Sequence, residues 1–171
     1  MSKLDITPIS NLGYGLPDDI AAIVRNLDVD DLDFDLVRDA EDAIEQYAHW
    51  LETAYTESGH YAKGAMIGEQ EESRHIAAIR AAVDALVEER KRADTPAYIN
   101  IDPQGGTTWS VSLIMENGRR IWCGTMEYGE IDEYGQWEGD FDELARQARE
   151  YVRNSRKGCW YDIPDDIEVS E

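Results

Sequence analysis

The sequence predicts an α+β fold: an N-terminal antiparallel helical hairpin with a short preceding helix, followed by a small antiparallel sheet of βββαβ type. Two observations carry that expectation. Apolar residues recur at steps of three and four through roughly the first half of the chain, and from "AYINID" onward they alternate at every second position. Helices followed by strands, rather than an alternation of the two, is the pattern of an α+β arrangement.

In "NLGYGLPDDIAAIVRNL" an irregular start with two glycines leads to Pro17 and Asp18, which open a brief helix ending near Leu27. From Phe34, the residues Leu36, Ala40, Ala43, Ile44, Tyr47, Leu51 and Ala54 mark an amphipathic helix over about 34–57 that Gly59 stops. The glycine-rich linker "GHYAKGAMIG" leads to a second long helix over about 69–93, with Ile76, Ile79, Val83, Leu86 and Val87 on one side and "EERKRAD" at its end, where cations suit the helix dipole. These two helices are expected to pair antiparallel, making 1–94 a helical region and 95–171 an α+β region. In the second region "AYINID", "TTWSVSLIM" and "RRIWCGTME" read as a three-stranded meander, with Asn117 and Gly118 as a type I′ turn. A helix over about 141–153 carries Leu144, Ala145, Ala148 and Val152 on one side, "GCWYDI" reads as a possible fourth strand, and 162–171 reads as an acidic tail.

The 171 residues are 42% hydrophobic, enough to build a core in one domain or two small ones. No apolar run reaches 18 residues and "MSKLDITPIS" lacks the apolar centre of a signal peptide, so a soluble, cytoplasmic protein with no membrane partner is expected. Cys123 and Cys159 have neither CxxC nor finger spacing, which argues against zinc and disulfides; both read as strand cysteines. The net charge is −21, and self-repulsion on that scale costs stability. It is concentrated. Residues 28–57 hold eleven acids against Arg38, residues 127–143 hold eight acids and no base, and residues 162–171 hold five acids, whereas 144–161 is net positive.

Three kinds of chemistry compete for the acids. In "DVDDLDFD", Asp31, Asp33 and Asp35 have the spacing of the first calcium ligands of an EF-hand, but Leu36 stands where the turn needs glycine and Asp42 where the loop ends on glutamate. Capping of the following helix explains the early aspartates better. Glu45, His49 and Glu52 share a helix face, and Glu72 and His75 have the ExxH spacing of di-iron bundles; a metal-binding helical protein or metal-dependent enzyme using Glu72 and His75 is therefore the alternative reading. That set is short of ligands, and no cofactor is expected. No GxSxG elbow, P-loop, GxGxxG or HExxH is present, so no catalytic residue is assigned and an enzyme is not expected.

The third chemistry is the acidic surface. On a helical wheel Asp35, Arg38, Asp39, Glu41, Asp42, Glu45, Glu52 and Glu57 lie opposite the apolar stripe. The expected partner-binding residues are Asp35, Asp39, Asp42, Glu45 and Glu52, joined by Glu130, Asp132, Glu133, Trp137, Glu138 and Asp140, with Tyr128, Tyr134 and Trp137 as aromatic anchors. Such a surface repels nucleic acid and attracts basic proteins that bind it. The expectation is a non-enzymatic inhibitor that mimics nucleic-acid charge, of the anti-restriction or anti-CRISPR kind that phages and plasmids encode, with a nuclease or defence complex as partner. A salt-adapted acidic regulatory adaptor is a further alternative, since the chain has only four Lys beside twelve Arg. Adaptation to salt would spread the charge, whereas 69–126 is near balance.

Overall fold

The computed structural model describes residues 2–58 and 66–171, and the side chains of 54–58 and 66–68 fall outside that description. The Gly59 stop, most of the glycine-rich linker, and the placing of Ala54 and Glu57 on the helix wheel therefore lie outside the described residues. The chain divides into two compact units, Met1–Arg90 and Lys91–Glu171, each with its own hydrophobic core.

The first unit is helical. It contains α1 (Thr7–Ser10), α2 (Asp18–Asn26), α3 (Phe34–Ser58) and α4 (Met66–Asp94), the last ending in the second unit's residues. α1 is a single turn just ahead of the stretch expected to be irregular, with proline in its first positions where a missing N–H costs nothing. Ile20 and Val24 of α2, Ala40, Ile44, Tyr47, Ala48 and Leu51 of α3, and Ile79, Val83 and Leu86 of α4 are buried. Their spacing of three and four puts each set on one side of its helix. α3 and α4 run antiparallel: Tyr47 and Trp50, late in α3, meet Glu72 and Glu71, early in α4, while Arg90 donates to the Asp30 carbonyl just ahead of α3. An Arg80–Asp19 pair at 2.6 Å ties α4 to α2. Among the described residues no helix is long and apolar enough to cross a membrane.

The second unit contains β1 (Pro96–Gly105), β2 (Thr108–Met115), β3 (Arg120–Glu127), the two-residue strands β4 (Glu130–Ile131) and β5 (Trp137–Glu138), α5 (Phe141–Asn154) and β6 (Glu168–Ser170). The main sheet has the order β3-β2-β1-β6, and β4 and β5 form a separate ribbon. The expected meander is present with antiparallel pairing throughout. Leu144, Ala145, Ala148 and Val152 of α5 are all buried, and Leu144, Ala148 and Val152 share a core with Ile99, Ile101, Val111, Leu113 and Met115 on one face of the sheet.

Four details differ from the sequence reading. The fourth strand is not "GCWYDI": Gly158–Trp160 is a single 3-10 turn, closed by the Gly158 N–H donating to Ser155 Oγ and the Trp160 indole donating to the Arg156 carbonyl. The strand is β6, inside the expected acidic tail, and it pairs parallel to β1 because α5 returns the chain across the sheet before it. Cys159 accordingly sits exposed in the turn and only Cys123 lies on a strand; both are free thiols. Finally, Asn117 does not take the positive φ of a type I′ turn. Gly118 alone does, at 84°, in a three-residue loop where the Asn117 side chain accepts the Arg119 N–H.

Candidate acidic docking face

The aspartates at the head of α3 serve the backbone. Asp28 accepts the Asp30 N–H at 3.1 Å, Asp31 turns the chain with a φ of 63°, and Asp33 caps the helix by accepting the N–H groups of Asp35 and Leu36 at 2.9 and 3.3 Å. Past the cap the acids change role. Asp35, Asp39, Asp42, Glu45 and Glu52 are all exposed, and at about 100° per residue their steps of four, three, three and seven spread them over about 140° of the outer side of α3, with His49 between Glu45 and Glu52. Ala40, Ile44, Tyr47 and Leu51 are buried on the other side.

Arg38 does not neutralise this row. Its pair with Asp35 at 3.0 Å is between two well-exposed side chains, and such pairs contribute about 0.2–1 kcal/mol. Among the described residues, Asp39, Asp42 and Glu45 have no basic partner. One feature was missed in the sequence: Phe34 opens the apolar periodicity of α3, yet it is 75% exposed, with the Arg38 guanidinium 5.9 Å from its ring centroid. Its place immediately after a capping aspartate was the available signal, because the first turn of a helix is not yet covered by its neighbours.

The second acidic tract divides its residues between two tasks. Asp132 closes the loop of the β4–β5 ribbon by accepting the N–H groups of Tyr134 and Gln136 at 2.9 and 2.6 Å. Trp137 packs inward: its indole donates to the Tyr128 carbonyl at 2.9 Å, and its ring meets Trp109 edge-on at 5.2 Å. Gly129 and Gly139 lie so close to that ring that a Cβ on either would overlap it. Asp140 caps α5 by accepting the Asp142 N–H at 2.9 Å. That leaves Glu130, Glu133 and Glu138 exposed, beside Tyr134 at 79% exposure. Glu130 and Glu138 are direct cross-strand partners, an arrangement of like charges that destabilises a ribbon.

The residues of the metal alternative are engaged in packing. Glu72 accepts the Tyr47 hydroxyl at 3.1 Å, and the His75 ring lies 5.9 Å from Tyr47 and 5.6 Å from Trp50. Glu45, His49 and Glu52 border a shallow hollow of about 300 Å3 with Pro8 and Leu12. Among the described residues no three His, Cys, Asp or Glu side chains are gathered as a metal would need. The acids with displaced titration include several in ion pairs: Arg80 lowers Asp19, Arg120 lowers Asp102, and Arg146, followed by Gln147, holds Glu143 at about 2. No family model matches this chain, and no curated protein or solved structure shows significant similarity to it.

Proposed function

We propose that this protein is a non-enzymatic inhibitor whose α3 row stands in for a nucleic-acid backbone and occupies the basic nucleic-acid-binding surface of another protein, such as a nuclease of a defence complex. The observation that carries the reading is the exposed row Asp35, Asp39, Asp42, Glu45 and Glu52 on a single rigid helix. At about 1.5 Å per residue the row spans about 25 Å, a mean rise of roughly 6 Å between carboxylates, against one phosphate per about 3.4 Å of each DNA strand. Asp39, Asp42 and Glu45, which pair with no base among the described residues, attract a basic groove and steer its approach. Glu130 facing Glu138 across the ribbon supports the same reading: its cost in the free protein is offset when a cation comes between the two. Inhibition is by occupancy and needs neither cofactor nor metal.

The test is capture from a lysate of the host with the full chain as bait, at low and at high salt, with the Asp39→Lys/Asp42→Lys/Glu45→Lys variant as control. Recovery of a nuclease or other nucleic-acid-binding protein, lost at high salt and with the variant, and displaced from the bait by duplex DNA, is the expected result. A captured protein that binds the variant as tightly as the wild type removes α3 from the interface and the proposal with it.

A further inference from the structure

We infer that the groove between the edge strand β3 and helix α5 is a second docking site, for an extended acidic peptide of a partner protein. β3 ends the sheet, and among the described residues no strand lies beyond its outer edge. Along it runs a cleft of about 530 Å3 whose walls include Cys123, Met126 and Glu127 of β3 and Gln147, Tyr151 and Asn154 of α5. Cys123 is the extra residue of a bulge, since Val111 faces Gly124 while Ser112 faces Trp122. Gly124 takes a φ of 137°, which favours glycine, and a Cβ there would overlap the Tyr151 hydroxyl, so a side chain at this position would push the Tyr151 ring aside.

Charge decides what the groove accepts. Arg146 on its wall is taken by Glu143 and Glu150. Arg156, which also lines the cleft, and its neighbour Lys157 are exposed and have no carboxylate partner among the described residues. Beside them Trp160 is 83% exposed, and its indole N–H already donates to the Arg156 carbonyl at 2.9 Å, so the ring offers an apolar face with no unmet polar need. The Tyr161 hydroxyl accepts from Arg119 at 2.8 Å, which places this cationic, aromatic end next to the start of β3; Glu127, at the end of β3, marks the opposite end.

An occupant matching both ends runs from Glu127 towards Arg156, antiparallel to β3, with Asp, Glu or a terminal carboxylate at Arg156 and Lys157 and an apolar side chain against Trp160. Addition to a sheet edge combines main-chain pairing with side-chain pockets. Here the bulge shortens the pairing and the walls supply more of the contact. Cations beside an exposed ring also suit single-stranded nucleic acid. Glu127 and Glu150 along the groove disfavour a polyphosphate, which is charged at every unit, and fit a peptide whose acidic residues are confined to the Arg156 end.

The experiment is selection of a random seven-residue display library on the full-length protein, followed by fluorescence anisotropy of the enriched peptides. Enrichment of peptides combining acidic and apolar residues, binding that falls at least about tenfold in the surface variant Arg156→Glu/Lys157→Glu, and amide shifts at Met126 and Tyr151 are expected. Recovery of no peptides, of basic or neutral peptides only, or of acidic peptides that bind the variant unchanged overturns the inference. So does a labelled single-stranded oligonucleotide that binds more tightly than those peptides through the same two cations.

Discussion

The two acidic tracts have similar composition and different work. In α3, structural duty ends at Asp33, and every acid expected to meet a partner projects into solvent from a helix whose other side is core. In residues 130–140, Asp132 and Asp140 bind backbone N–H groups, Trp137 is packed, and Glu130, Glu133 and Glu138 are the acids left exposed without such a duty. The difference follows from local geometry. A long helix satisfies its interior N–H groups itself and frees its polar side chains, whereas a tight ribbon and a helix start have unmet N–H groups that short aspartates satisfy. Charge counted along a sequence therefore overstates the charge available to a partner wherever the backbone is irregular.

The largest expected effect separates the tracts by what each loses. Asp39→Lys/Asp42→Lys/Glu45→Lys should weaken binding of the captured target by about 100-fold at low salt and lower the slope of log Kd against log salt by about 3, while the thermal midpoint stays within a few degrees of wild type. Lysine in place of Glu130, Glu133 and Glu138 together should cost about tenfold if the ribbon forms a secondary contact. Equal losses from the two triple variants would erase the ranking of the tracts.

Stability should follow the opposite order. Trp137→Ala removes the contact with Trp109 and the bond to the Tyr128 carbonyl, and is expected to cost about 2–3 kcal/mol by denaturant unfolding, below the cost for a fully buried tryptophan because the ring is only half buried. Asp140→Ala should cost about 1 kcal/mol as a lost cap. Glu130→Lys should instead stabilise by about 0.5 kcal/mol, since it turns a cross-strand repulsion into an attraction with Glu138. A destabilised Glu130→Lys would mean that the two glutamates do not repel each other in the folded protein.

How far the sequence could be read follows the same division. The periodic residues of α3, α4 and α5 pointed to the buried sides that the structure has, because 3.6-residue spacing is a local property. β6 could not be read: three residues among acids pair parallel with a strand about seventy positions earlier, and only the return of α5 brings them together. Trp137 was taken for an exposed anchor because its inward position depends on the room left by Gly129 and Gly139, which lie on either side of it in the sequence but meet its ring only once the ribbon closes. Asp140 was read as a partner-binding residue although "GDFDE", an aspartate before an acidic first turn and a run of helical spacing, carried the signal of the cap it forms.

The smallest expected effect sharpens the comparison from the side of pH. Glu143, in the first turn of α5, is bound by Arg146 through two contacts at 2.6 and 2.7 Å and by the Gln147 amide at 2.9 Å. Arg146 first, then Gln147, lowers its carboxyl from the ordinary 4.5 to about 2. A folded-state value below the unfolded one contributes stability that is complete above about 4.5 and is lost as pH falls through about 2. The contribution is small because the carboxylate is exposed and water screens the pair. Carboxyl NMR titration should place the Glu143 midpoint near 2 in the wild type, and higher in Arg146→Gln. A wild-type midpoint at the ordinary value would mean that Arg146 does not hold Glu143 in solution. The charge of α5's first turn would then be as available as the α3 row, and the contrast between the two tracts would rest on Asp132, Trp137 and Asp140 alone.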